Sequence, residues 1–497
     1  MFSLAARACN VIAAGVLSEL QAEPFPKVPS RVAKHRGVAT STAYIQRRKA
    51  TTMMKRRMVT LVAAGIAVTA LTGALTGCSG SSDEGSSSEG KVYYLNFKPE
   101  QAEDWVALAA EYTKETGVQV DVQTAASGTY ETTLKSEMAK SNPPTLFQVN
   151  GPVGLATWSD YAADLSGSAI YEHLNDQSVA LAGDDGEVLA IPYVQETYGI
   201  IYNKNLLNDY IALPDAAITS IDEIDNFDTL KAVAEGIQAN KDALGVEGAF
   251  TSAGFDPSSD WRFKTHLANI PLYYQFKADD VTGQPATITD EYLDGYQRIF
   301  DLYINNSTTE RTLLSSKTGE DANAEFALGK AVFYQNGTWA YNDVKGQAVA
   351  DEDLGMLPIY IGADGEENQG LTTGSENYWV INNEVSEADQ QATLDFLEWV
   401  ITSDEGRDAL ANTMGFVTPF DTFADYLPSN PFILADAAYT AAGKTAVTWN
   451  FTVMPSEEWK NGVGQALLQY AQETGDWAGV ETAFVDGWAS EYTLTNG

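Results

Sequence analysis

Beyond residue 90, short apolar runs alternate with segments of helical periodicity. Lys91–Phe97 (KVYYLNF) is rich in β-formers and predicts a strand, and in Gln101–Thr116 the positions Trp105, Leu108, Ala109 and Tyr112 recur at helical spacing. Gly117 stops that helix, after which Val118, Val120 and Val122 alternate as a second strand. A helix over Thr129–Lys140, broken by Asn142-Pro143-Pro144, leads to TLFQV as a third strand. This order predicts a parallel sheet with helical crossovers. Ligands of such sheets sit beyond the carboxyl ends of the strands, here near Asn96–Glu100 and Gln148–Gly151. Helices recur at Tyr292–Ile304 and Glu387–Ile401, the second capped by Ser386 with Asp389 in its first turn. Strands are expected at Lys330–Tyr334 and Tyr378–Ile381. With no clean internal repeat and no second low-complexity linker, two cores must interleave or share a close interface.

Upstream the pattern changes. Lys55, Arg56 and Arg57 precede the uncharged run Met58–Ala74, the order of an export signal. Leu75-Thr76-Gly77-Cys78 resembles the lipobox of bacterial lipoproteins, in which the cysteine takes a diacylglyceryl group and the chain is cut before it. Two acyl chains suffice for stable anchoring where one is marginal. Ser79–Gly90 is almost wholly Ser, Gly, Asp and Glu, which cannot order itself and serves as a tether. The expected organisation is an N-terminal extension (1–52) ahead of the true start, a lipoprotein signal peptide (53–77), and the lipidated cysteine with its linker (78–90).

Charge narrows the partners. The chain carries 30 Lys+Arg against 68 Asp+Glu, and the part from Cys78 onward holds about 19 basic and 66 acidic groups. Such a surface repels phosphate backbones, so nucleic acid is excluded as a partner. It also repels anionic lipid, leaving the lipid anchor as the membrane contact. Cys9 lies in the extension, so the exported chain keeps one cysteine and forms no internal disulfide. His35, His173 and His266 lack ligand-like spacing, and neither a metal nor a cofactor is expected. At 44% hydrophobic and 11% aromatic residues, the chain can fill two cores of ordinary domain size.

Four segments, in order, carry a family resemblance: GEVLAIPYVQETYGIIYNK (Gly186–Lys204), AEFALGKAVFYQNGTWAY (Ala324–Tyr341), LGMLPI (Leu354–Ile359) and WVITSDEGRDALANTMGFVTP (Trp399–Pro419). Through them the chain resembles the extracellular solute-binding proteins of ABC importers, of the sugar-binding type typified by maltose-binding proteins. The resemblance implies an α/β, two-lobed fold in which the chain crosses a hinge more than once. It places lobe one at 91–196 plus 355–402 and lobe two at 197–354 plus 403–497, with crossings near Gln195–Thr197, Leu354–Leu357 and Thr402–Ser403. It further implies a monomer without catalysis, lipid-anchored on the outer face of a Gram-positive-type cell. Such a protein delivers a carbohydrate to a two-subunit permease powered by a separate ATPase; the chain has no phosphate-binding GxxxxGK[ST] loop of its own.

A sugar presents flat C–H faces and a rim of hydroxyls, so its binder needs aromatic plates and polar side chains. Trp339, in QNGTW, matches the family's stacking tryptophan; Trp459, in MPSEEWKNG, stands where maltose-binding proteins offer another, and Trp261 is a loop aromatic of similar standing. For the rim, Glu196 matches a ligand-bonding carboxylate of the family. Asn96, Lys98 and Glu100 follow the first strand, Gln148 and Asn150 the third, and Ser375, Glu376 and Asn377 lie in a Gly-containing loop. Two other readings stay open. A secreted glycoside hydrolase needs only a pair of carboxylates, although no GxSxG, HExxH or Cys/His arrangement is present. A binding protein for a polyamine or peptide would accord with the acidity.

Overall fold

The computed structural model describes residues 90–496, apart from 127, 184, 427 and 428. The extension, signal segment and Cys78 expected over residues 1–89 lie outside the described residues. The strands are β1 (Val92–Asn96), β2 (Val120–Thr124), β3 (Leu146–Val149), β4 (Leu181–Ala182), β5 (Val188–Pro192), β6 (Glu196–Asn203), β7 (Gly248–Phe250), β8 (Ala331–Gly337), β9 (Leu354–Leu357), β10 (Gln369–Gly374), β11 (Tyr378–Ile381) and β12 (Thr445–Thr448). They form two sheets, ordered β2-β1-β3-β11-β5-β4 and β12-β10-β6-β8-β7, with β9 paired to β6.

In the first sheet β1 runs parallel to β2 and β3, as helical crossovers require. The helix Ala102–Thr116 buries Trp105, Leu108, Ala109 and Tyr112 and ends at Gly117, whose φ of +82° suits the left-handed cap. The helix Tyr130–Met138 makes the second crossover. β11 then enters antiparallel between β3 and β5, so the sheet is mixed. Period-two alternation covers both faces. Val92, Tyr94, Trp379 and Ile381 face one apolar layer, and Leu95, Phe147 and Val380 the other. In the second sheet, Tyr198 and Ile200 face a large helical layer while Ile201 and Tyr334 face a smaller one. The fold is thus two α/β lobes, each with a sheet sandwiched by helices.

The chain passes from the first sheet to the second between Pro192 and Glu196. It returns between Gly374 and Tyr378, later than the expected Leu354–Leu357. The reason is hydrogen bonding: β9 pairs with β6 through Ile200 and Leu357, and β10 pairs with β6 through Thr373 and Thr197, so both belong to lobe two. The final crossing falls between Phe423 and Phe432, not at Thr402–Ser403. Leu410, Met414, Phe416 and Phe420 still pack in the core of lobe one, whereas Phe432 packs in lobe two. Segment 355–374 therefore moves to lobe two and segment 403–423 to lobe one.

Candidate functional site

Strand ends from both sheets converge where the lobes meet. The segment after β1 delivers Lys98 and Glu100, and the residue after β3 is Asn150. From the other lobe come Glu196 at the first position of β6, Trp339 just past β8 and Glu376 just past β10. The pairing of Tyr198 with Gly337 and of Glu196 with Gly374 holds these three at one sheet edge. Trp261 ends a loop and opens the π-helical stretch Arg262–Leu267, which adds Lys264, Thr265 and His266. Wide helical turns of this kind recur at functional sites. Together these residues enclose a cavity of about 270 Å³.

The aromatic surface is composite. Trp261 and Trp339 lie 6.0 Å apart at a 59° tilt, and His266 packs edge-on against both. Trp261 is fixed from below by its indole N–H donating to Ser258 O at 3.1 Å and by Arg262 stacked 4.2 Å from its ring centroid. His266 stacks on Tyr198 at 4.3 Å. Burial first, and the nearby Arg262 and Lys98 charges second, hold His266 well below its ordinary pKa, so the ring is neutral.

Charge is arranged in pairs across this surface. Lys98 Nζ donates to Glu196 Oε1 at 2.8 Å and reaches Glu100 at 3.4 Å, with its ammonium 5.7 Å from the Trp339 ring centroid. Burial alone would lower the Lys98 pKa, but the Glu196 and Glu100 carboxylates outweigh it and hold the amine charged. On the lobe-two wall Lys460 donates to Glu457 at 2.6 Å. Lys264 donates to Asp260 at 2.9 Å and to Asn461 Oδ1 at 2.8 Å. Among the described residues Glu376 makes no such pair, and burial pushes its carboxyl up to about 7.

Of the sequence-derived candidates, Lys98, Glu100, Asn150 and Glu196 line the cavity, as do Trp261, Trp339 and Glu376. The others do not, and the structure corrects them. Asn96 is fully buried and spends its amide on Lys98 O at 2.7 Å and Thr124 Oγ1 at 3.1 Å, bracing the turn that presents Lys98. Gln148 is equally buried, accepting from Phe97 N at 2.6 Å and donating to Tyr193 Oη at 2.7 Å. Asn377 points inward to Gln148, and Ser375 lies outside the lining. Trp459 is a core residue, its indole bonded to Phe484 O at 2.9 Å and its ring packed on Trp488. Sequence reasoning missed Tyr130, Glu131, Asp260 and Lys264, together with His266, Glu457, Lys460 and Asn461. One signal was present: Glu457, Lys460 and Asn461 fall at i, i+3 and i+4 of the helix Glu457–Ala471, a polar stripe on the side away from Trp459.

Two lobes that set aromatic plates and a polar rim around a shared cavity define a cleft-type binding protein. The chain belongs to the bacterial extracellular solute-binding protein family, which it matches over residues 107–442. Among solved structures it is similar to a family 1 extracellular solute-binding protein from Bifidobacterium longum subsp. infantis, at 17% identity and a TM-score of 0.53, covering 81% of this chain and 100% of that one. It is also similar to the solute-binding protein RafE in complex with raffinose, at 17% identity and a TM-score of 0.62, covering 82% and 100%. A third is the GacH receptor of Streptomyces glaucescens, solved unliganded and with acarbose, at 18% identity and a TM-score of 0.60, covering 82% and 99%. At these identities the likeness is one of fold.

Proposed function

We propose that this solute-binding protein captures a carbohydrate, and specifically an oligosaccharide, outside the cell and delivers it unaltered to an ABC importer. The observation that carries the reading is the pairing of Trp261 and Trp339 with a rim of carboxylate, ammonium and amide groups in one interlobe cavity. Aromatic faces take the C–H surface of a pyranose, and the rim takes its hydroxyls. Each contact is weak in water and strengthens when lobe closure excludes solvent. The same reading tethers the chain by a diacylglyceryl group on Cys78, has it act as a monomer, and gives it a two-subunit permease with a separate ATPase as partner. Two fold neighbours described with raffinose and with acarbose support the class of cargo.

The cavity's carboxylates outnumber its lysines, which favours a polyamine as the second reading. A thermal-shift panel of neutral oligosaccharides and polyamines separates the two, because a ligand that binds only the native state raises its melting temperature. A shift with polyamines and none with sugars would overturn the carbohydrate reading. Recovery of cleaved sugar after incubation would show a hydrolase instead.

A further inference from the structure

On the other side of Lys460 lies a second chamber of about 400 Å³. It shares Glu131, Asn150, Glu457 and Lys460 with the first cavity, so the two adjoin across these four side chains. Its walls come from both lobes. The helix Pro152–Trp158 of lobe one supplies Val153, Ala156 and Thr157, and lobe two supplies Phe451–Ser456 with Thr495 and Asn496 of the last helix. The lobes touch at its floor. Gly151, with φ of +118°, lies where a Cβ would come within 2.7 Å of Thr452 Cβ, so glycine is what allows this close approach.

The chemistry of the two chambers differs. The first holds the Trp261 and Trp339 plates and the charge pairs. Apart from the shared Glu131, Glu457 and Lys460, the second carries no charged side chain among the described residues; its other polar side chains are the hydroxyls of Thr157, Thr452, Ser456 and Thr495 and the amides of Asn150, Gln284 and Asn496. Neutral hydroxyls and amides both donate and accept, which suits a chain of neutral sugar units.

We infer that the cargo is an extended neutral oligosaccharide, whose first unit sits on Trp261 and Trp339 and whose following units pass Lys460 into the second chamber. This inference rests on the carbohydrate reading above. It assigns Lys460 a position at the joint between units, held there by Glu457, and it makes affinity depend on chain length.

The test is calorimetric titration of the wild-type chain and of Ala156→Trp with four series of increasing length: maltose to maltohexaose, xylobiose to xylohexaose, chitobiose to chitohexaose, and raffinose with stachyose. Ala156 is exposed on its helix, so the tryptophan fills the chamber without entering a core. Thr157→Trp, also exposed, serves as the second variant. In the series that binds, wild-type affinity is expected to rise about tenfold or more between the shortest and the four-unit ligand. Ala156→Trp should erase that rise while leaving the shortest ligand unaffected. Affinity flat with length, or a variant that weakens short and long ligands alike, overturns the second chamber and leaves the carbohydrate reading standing. Binding of no member of any series overturns both.

Discussion

Lys98 Nζ sits 2.8 Å from Glu196 Oε1, and this ion pair ties the segment after the first strand of one lobe to the first residue of the central strand of the other. Both side chains are almost wholly buried. A pair out of water gives little net stability, yet removing one partner strands the other. Glu196→Gln should therefore destabilise the fold in urea unfolding, but by less than the roughly 3 to 5 kcal/mol of a wholly stranded charge, since Glu100 at 3.4 Å still faces Lys98. The double variant Lys98→Met with Glu196→Gln should recover part of that loss. Losses that simply add would show that the pair is not coupled.

Trp339 and Trp459 offer a sharper contrast. Trp339 lines the cavity, whereas Trp459 packs between Phe484 and Trp488 with 2% of its surface exposed. Trp459→Ala should cost about 3 to 5 kcal/mol of stability through the cavity it leaves. Trp339→Ala should instead spare the melting temperature and lower ligand affinity by about tenfold or more. Equal thermal destabilisation by the two changes would contradict the assignment.

The difference between these two tryptophans marks how far the sequence could be read. Periodicity located Trp105, Leu108, Ala109 and Tyr112 on one helical face, and all four are buried as that pattern requires. Ser386 was legible as a cap, and its hydroxyl accepts from Asp389 N. These are local signals. Lobe membership is not local: LGMLPI and the strand Gln369–Gly374 read the same in either lobe, and only pairing with the strand that begins at Glu196 assigns them. Polar residues at strand ends were equally ambiguous. Asn96 and Gln148 stand two residues before Lys98 and Asn150, a spacing that alternation alone puts on one face; but the first two lie within their strands, where they satisfy buried backbone groups, and the last two lie past the strand ends.

Glu376 gives the cleft a pH dependence. Burial raises its carboxyl from the ordinary 4.5 to about 7; Lys460 and Lys98 act to lower it, and Glu196 and Glu457 to raise it. Between these values the folded chain keeps a proton that the unfolded chain releases, so the group's unfavourable contribution appears as pH rises from 4.5 and is complete above 7. The full cost is at most about 3 kcal/mol. Glu376→Gln removes it. Urea unfolding at pH 5, 6, 7 and 8 should show the variant gaining on the wild type across this range, and a difference independent of pH would refute the assignment.

The close approach of Gly151 to Thr452 makes a prediction about lobe closure that involves no ligand contact at all. A Cβ at residue 151 would sit 2.7 Å from Thr452 Cβ and 3.2 Å from Thr452 Cγ2, so Gly151→Ala must push the lobes apart or force an L side chain to hold a φ of +118°. The collision costs the closed arrangement free energy relative to an open one, and apparent affinity falls by the fraction of closed molecules lost, whereas the backbone strain acts on both arrangements alike. Thr452→Gly removes both atoms of the collision but leaves the backbone strain. The double variant should therefore regain the affinity lost to contact, while the backbone strain remains as a loss of stability. Small-angle scattering should show Gly151→Ala more expanded than the wild type and the double variant returned toward it. If Thr452→Gly restores neither affinity nor compactness, the lobes do not meet at this contact in the ligand-bound state.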